Sequence, residues 1–377
     1  MQGLYIHIPV CVKKCSYCDF YSLPGRLDMI GNYVQAVLQE AEHYKGMSFY
    51  TLFIGGGTPS LLGAKYLRML MEGLDKTLRL PRRSAPRNGD EYEATIEVNP
   101  ESATEEFLKA AKETGFNRVS IGVQSLADDE LRSVGRIHTA GQAVEAIRQA
   151  KKAGFEAISA DLIIGLPGQT WTSLRNSLKT LVEMEVGHIS AYCLSLEEGT
   201  ILGNKPPENL PDDEMQANLY EETRKFLKSC GYAHYEISNF ARRGCECMHN
   251  INYWRGGEYL GLGTAAASHI EGRRWRNRAD LDSYIQSPTT QIEEIEVLGI
   301  EEKAAEEAML RLRLLEEGVD IVELADRYEW DSIKGIVERL EEMAREGLLV
   351  KWGTRYRLSE DKVLTSNRIF ERVISKY

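Results

Sequence analysis

From the N-terminus to about residue 200, short apolar, β-rich runs alternate with stretches of helical pattern. The runs are Leu4–Ile8, Tyr50–Ile54, Ala94–Val98, Arg118–Val123, Ala157–Ile164 and His188–Leu194. The helical stretches lie near residues 28–43, 61–77, 103–113, 140–152 and 171–185. Ser102 with Glu105 predicts a capping box at the start of the third of them. Strict alternation of this kind implies parallel βα units with right-handed crossovers. Six units are too few for a closed eight-fold barrel. The expected fold is therefore α/β, an open, partial (β/α)6 TIM-like barrel with its chemistry at the C-terminal ends of the strands.

Two breaks interrupt the pattern. Pro81–Asp90 (PRRSAPRNGD) reads as an exposed loop between a helix and a strand, and Gly203–Asp213 (GNKPPENLPDD) precedes a helical stretch over 214–229. After residue 298 come Glu/Leu/Arg-rich helices, then a strand pair, Leu348–Trp352 and Arg355–Leu358, around Gly353. Helices followed by a hairpin predict a small winged-helix-like module. The expected division is residues 1–200 as the partial barrel, 201–297 as an extension completing its core, and 298–377 as the C-terminal domain. In that domain the helix Asp331–Glu346 sets five acidic residues against Lys334, Arg339 and Arg345. Phosphate contacts need positive charge, so a lid or docking module is expected and not a DNA reader.

Bulk properties narrow the class. Hydrophobic residues make up 43% and charged residues 27% of the chain, ordinary values for a globular protein. No apolar run reaches the ~20 residues of a membrane span, which leaves only peripheral docking to a membrane. The N-terminus MQGLYIHIPVC has no basic n-region or cleavage site, so no signal peptide is expected. Seven cysteines, three of them crowded together, are not a secreted disulfide framework. A reduced, cytoplasmic protein is expected. The net charge of −11 argues against a general nucleic-acid partner. Arg273, Arg274, Arg276 and Arg278 form a local basic patch, read first as a solvated loop and second as an anion site.

The crowded cysteines are Cys11, Cys15 and Cys18 in CVKKCSYC. Three thiolates on one loop suit a [4Fe-4S] cubane and leave its fourth iron open to another ligand. Structural zinc is the rival, but it wants four ligands, usually as two pairs, and Cys245 and Cys247 are separated by only one residue. Other polar groups fall at strand ends. Gly55-Gly56-Gly57-Thr58-Pro59 follows the second strand, where bare backbone can approach a ligand. Glu97 ends the third, Gln124 ends the fourth, and Asp161 lies inside the fifth, with Arg136 twelve residues beyond Gln124. A carboxylate in an apolar strand is costly unless it is paired. Convergence on one pocket is the favoured reading, and a structural polar network is the alternative.

The cysteine triplet resembles the signature of radical S-adenosylmethionine (SAM) enzymes. With GGGTPS, EVNPES, GVQS, GRIHT and DLIIGLPGQT, the run YIHIPVCVKKCSYCDF resembles the oxygen-independent coproporphyrinogen III oxidase group of that superfamily. The likeness covers residue 3 to about 270, and residues 300–377 resemble the group's C-terminal module. It implies that Cys11, Cys15 and Cys18 ligate the cluster. It also implies that Tyr5, Gly56, Gly57, Thr58, Glu97, Gln124, Arg136 and Asp161 contact SAM. For Tyr5 the alternative is a barrel-core aromatic.

Within the group, the oxidases carry a fourth cysteine where this chain has Phe20, and a long extension ahead of the cluster loop, which here begins at residue 11. Both departures resemble the haem-chaperone subfamily, as does His249-Asn250-Ile251-Asn252-Tyr253-Trp254, which fits that subfamily's H-N-x-x-Y-W signature. Haem iron takes an axial His and its ring stacks on aromatic surface. His249 is thus the candidate haem ligand. A His hydrogen-bonded in the core is the alternative, and His7, His269 and Cys247 are further candidates, with His7 better placed to support the cluster loop. The resemblance implies a haem-binding chaperone that passes haem to an acceptor protein and draws on an electron donor for its cluster. The alternatives are the oxidase, whose activity is not expected, and a related radical SAM methyltransferase.

Overall fold

The computed structural model describes residues 2–80, 92–290 and 292–375; the predicted Pro81–Asp90 loop lies outside the described residues. Six strands, β1 (Gln2–Ile8), β2 (Thr51–Gly56), β3 (Glu93–Val98), β4 (Arg118–Gln124), β5 (Ala157–Ile164) and β6 (His188–Cys193), lie side by side in chain order and all parallel. The connections carry α1 (Ile30–Ala41), α2 (Gly63–Thr77), α3 (Glu105–Glu113), α4 (Ala140–Lys152) and α5 (Trp171–Glu183).

Side chains alternate across a strand, and here the two faces differ in chemistry. Leu4, Ile6, Leu52, Ile54, Ile96, Val119, Ile121 and Leu162 are buried in one core with the helix residues Val34, Val37, Leu70, Leu74, Phe107 and Ile147. Each such side chain contributes about 1.5–3 kcal/mol of burial. The alternate positions are small, polar or aromatic, among them Tyr5, Phe53, Gly55, Glu97, Ser120, Gly122 and Asp161. That second face carries the candidate chemistry.

The third helix starts differently from the expectation. It begins at Glu105, so its cap is Thr104, whose Oγ1 accepts from the Phe107 N–H at 3.2 Å. Ser102 lies two residues too early and instead bonds the Asn99 carbonyl and the Ser60 hydroxyl. Capping boxes form at Thr139 with Gln142 and at Thr170 with Ser173.

The sheet continues past both ends of the parallel set. After helix α6 (Asp213–Ser229), β7 (Ala233–Glu236) and β8 (Asn239–Ala241) extend it antiparallel beyond β6. Helix α7 (Met248–Trp254) then returns the chain to β1. There β9 (Glu258–Leu262) pairs parallel with β1, and β10 (Ala267–Ile270), β11 (Arg273–Asn277) and β12 (Ile292–Val297) follow antiparallel. Among the described residues the sheet runs β12-β11-β10-β9-β1-β2-β3-β4-β5-β6-β8-β7, and its ends stay unpaired, an open barrel.

Helices α8 (Ile300–Arg311), α9 (Trp330–Arg345) and α10 (Ser366–Ile374) surround a small sheet of β13 (Val319–Asp320), β14 (Leu349–Trp352) and β15 (Arg355–Leu358). This module meets the body where the Arg313 guanidinium stacks 4.2 Å from the Trp254 ring, and where Arg255 Nε donates to Glu317 at 3.0 Å. No helix among the described residues is long and apolar enough to cross a membrane.

Candidate functional site

Cys11 closes a two-residue strand, Val10–Cys11, that pairs with Leu23–Pro24 and pins both ends of the cysteine loop. Inside the loop the Cys18 N–H donates to the Cys15 carbonyl, and the Ser16 N–H reaches the Val134 carbonyl at 3.1 Å. All three thiols are free. Burial pushes the Cys11 and Cys18 thiols up, and metal binding is what releases such protons. Among the described residues no three His, Cys, Asp or Glu side chains are gathered for a single ion. A cubane spreads its thiolates over separate irons, so the loop suits a cluster better than structural zinc.

The loop roofs a cavity of about 340 Å³ at the C-terminal ends of the strands. Cys11, Cys15, Cys18, Gly56, Gly57, Thr58, Glu97, Gln124, Arg136 and Asp161 all line it. Tyr5 does not. The glycines have local reasons: Gly56 has φ +108°, and a Cβ there would stand 2.6 Å from the His7 ring. A Cβ on Gly57 would meet the Val10 carbonyl oxygen at 2.6 Å. Packing of β2 against the start of the cysteine loop therefore demands glycine by itself.

Charge in the cavity is poised between opposites. Burial, and then repulsion from Asp161, pushes the Glu97 carboxyl up to about 8, against a hydrogen bond from the Gly56 N–H at 3.2 Å. Burial also raises Asp161, offset by hydroxyls of Ser190 and Ser120 and by Arg118 and Arg136. Arg136 donates at 2.9 Å to Asn99 Oδ1 and to the Gly122 carbonyl. Asn99 in turn donates to Thr58 Oγ1 at 3.0 Å. Sequence reasoning missed Asn99, although it sits two residues after Glu97 in the quoted EVNP run. Gln124 takes φ +63° at a break in register between β4 and β5. Left-handed backbone costs a non-glycine residue roughly 1–2 kcal/mol, and such strain clusters at functional sites.

A second cavity, of about 700 Å³, opens on the same sheet face beside β1. Tyr5, Phe53, Tyr253, Trp254 and Tyr259 give it aromatic walls, and Asp19 and Phe20 border both cavities. Three histidines line it. Tyr5 is held there by its hydroxyl, 3.0 Å from His7 Nδ1, and His7 Nε2 lies 2.8 Å from the Tyr21 carbonyl. His249 has Nδ1 2.8 Å from Thr51 Oγ1 and Nε2 2.7 Å from the Tyr253 hydroxyl, with Phe53 stacked at 5.2 Å. Burial drives its pKa down to about 3. Both ring nitrogens are engaged in this arrangement, as in the core-bonded alternative, and for His249 to serve as a haem ligand the bond to Tyr253 would have to open. Cys247 is likewise engaged, buried with Sγ 3.6 Å from Glu93, and burial pushes it up to about 12.

Residues 5–181 match the family model of the radical SAM superfamily. The chain is 32% identical to the haem chaperone HemW of Lactococcus lactis, covering 99% of this chain and 97% of that one. It is 34% identical to HemW of Bacillus subtilis, with 98% of each covered. Identity to HemW of Escherichia coli is 33%, over 99% and 98%. Among solved structures, coproporphyrinogen III oxidase HemN of Escherichia coli, a radical SAM enzyme, superposes with a TM-score of 0.85 at 24% identity. That match covers all of this chain and 90% of HemN, and it establishes a common fold.

Proposed function

The chain belongs to the radical SAM superfamily and, within it, to the HemW family, and from that premise we propose that it binds haem and passes it to an acceptor protein while keeping a cluster and SAM site. The observation that carries this reading is end-to-end identity with relatives named haem chaperones, which includes the C-terminal module as well as the SAM core.

Cys11, Cys15 and Cys18 are the proposed holders of a [4Fe-4S] cluster, with one iron left for SAM. When bound, the cluster supplies the electron for reductive SAM cleavage, so the reading calls for an electron donor. Gly56, Gly57, Thr58, Glu97, Gln124, Arg136 and Asp161 are the proposed SAM contacts. The paired carboxylates suit SAM's positive centre, and Arg136 suits its carboxylate. Tyr5 belongs with them only through its place on β1, the strand that leads into the cluster loop. The oxidase reading lacks its fourth cysteine: Phe20 stands there, 62% exposed. Cytoplasmic location, with at most peripheral membrane docking, completes the proposal.

The test uses anaerobically reconstituted protein. Added haem is expected to give a saturable Soret band, and apo-myoglobin mixed in afterwards should take the haem up. Coproporphyrinogen III with SAM and dithionite should give no protoporphyrinogen IX. Its catalytic formation would establish the oxidase instead. Methyl transfer without haem binding would establish the methyltransferase.

A further inference from the structure

The large sheet has an open edge at β12, beyond which no strand pairs among the described residues. All six residues of β12, in the sequence IEEIEV, are exposed. Its apolar positions stand well clear of the body: Ile295 is 57% and Val297 72% exposed. An unpaired edge offers a row of backbone N–H and C=O groups to any strand laid beside it. Charge is a usual device for keeping such edges from pairing, and Glu293, Glu294 and Glu296 supply it here. Negative charge repels some strands and attracts others.

The edge runs into a cleft. Glu296 and Val297 also line a groove of about 600 Å³ between the end of β12 and helices α8 and α9. Ala305, Met309 and Ile336 give the groove apolar surface. Six carboxylates line it against three cations, and each cation is already engaged. Arg274 pairs with Glu306 at 2.5 Å and with Glu296 at 3.2 Å, and Lys334 pairs with Asp331 at 3.1 Å. Arg339 donates to the Val373 carbonyl at 2.9 Å. The groove is therefore net acidic, and the exposed Glu293 and Glu294 carry that charge on along the edge.

We propose that edge and groove form one docking surface for an extended segment of a partner protein, in which basic residues alternate with apolar ones, added to β12 as a further strand. In strand addition main-chain hydrogen bonds supply affinity and alternate side chains supply specificity. Here the basic residues meet the glutamates, and the apolar ones meet Ile295, Val297 and the groove. A second copy of this chain does not fit. Two β12 strands set antiparallel about their centre bring Glu293 against Glu296, and like charges directly opposite are destabilising. The groove shares Arg274 and Glu306 with the second cavity, so the docked partner stands beside that cavity. The proposal does not depend on what the cavity holds.

Titration of the full-length protein with fluorescent, end-capped peptides of equal length tests it. One peptide alternates Lys and Val, one Lys and Gly, and one Glu and Val. Wild type should bind the Lys/Val peptide at least about tenfold tighter than the Lys/Gly peptide, the scale of burying one aliphatic side chain. It should ignore the Glu/Val peptide, and Lys/Val binding should weaken with added salt. Amide hydrogen exchange should slow over residues 292–297 when the Lys/Val peptide is bound. Ile295→Lys should lose about tenfold in affinity. Val322→Lys, the same change at an exposed site of the C-terminal module, should bind as wild type does. If the Lys/Val peptide does not bind, the glutamates merely protect the edge and the proposal fails. Equal affinity for Lys/Val and Lys/Gly reduces the contact to bulk charge and overturns strand addition. Unchanged affinity in Ile295→Lys, or unchanged exchange over 292–297, places the peptide elsewhere and overturns the assignment.

Discussion

Arg136 sets its Nη1 3.6 Å from the Sγ of Cys15 while its Nη2 bonds Asn99 and the Gly122 carbonyl. One guanidinium thus ties the cysteine loop to residues at the ends of β3 and β4, and it is the proposed contact for SAM's carboxylate. In Arg136→Gln, SAM affinity should fall about ten- to a hundredfold, from the roughly 1.5–3 kcal/mol of a charged hydrogen bond, with cluster iron retained. Arg136→Lys should fall between, since it keeps the charge and loses the fork. The check is SAM titration against the reduced cluster's electron paramagnetic resonance signal. A titration unchanged in both variants removes Arg136 from the site.

The cysteines make a sharper case. Cys11, Cys15 and Cys18 line one cavity from one loop, while Cys247 is buried beside Glu93. About four irons per chain are expected after anaerobic reconstitution. Cys15→Ala should lose most of that iron and the visible charge-transfer band, and Cys247→Ala should keep both. Full iron in Cys15→Ala, or one zinc per chain in native protein, would contradict the ligand set.

Glu97 predicts a pH effect with a definite sign. Its carboxyl is raised from 4.5 to about 8 by burial and by Asp161. The folded protein therefore holds a proton that the unfolded chain releases, and stability falls as pH rises from about 4.5 to about 8. Glu97→Gln is neutral throughout. Without SAM, the variant should gain on wild type by roughly 3–4 kcal/mol between pH 5 and pH 8, measured by urea unfolding. A pH-independent difference would mean that Glu97 is already ionised.

Much of this was legible in the chain because it is local. The six parallel strands follow from apolar runs whose alternate residues pack under helices, and β5 spans Ala157–Ile164 in both the pattern and the structure. The strand-end residues Glu97, Gln124 and Asp161 meet because neighbouring parallel strands end together, which alternation already implies. What was not legible depends on distant partners. The bond of His249 to Thr51, 198 residues away, is invisible from its own motif. Tyr5 lies on the strand that leads into the cluster loop, yet its hydroxyl turns to His7 and the ring lines the neighbouring cavity. The Ser102 cap failed by two residues because Asn99 and Ser60 claim its hydroxyl.

The last prediction separates scaffold from ligand at His249. Its ring bonds Thr51 and Tyr253 and stacks on Phe53, so replacement leaves two hydroxyls unpaired. His249→Gln should cost roughly 2–4 kcal/mol at pH 7, the range for a broken buried hydrogen-bond pair with lost packing. Burial lowers the folded pKa to about 3 from 6.5. The neutral ring therefore contributes fully above about pH 6.5, and the contribution is lost as pH falls, because the unfolded chain takes up the proton first. The difference between wild type and variant should shrink by about 2 kcal/mol at pH 5. A scaffold role predicts this pH slope together with an unmoved Soret band for haem bound to the surviving folded variant. If the band moves in His249→Gln, the iron sits on His249, and its bond to Tyr253 must open when haem arrives.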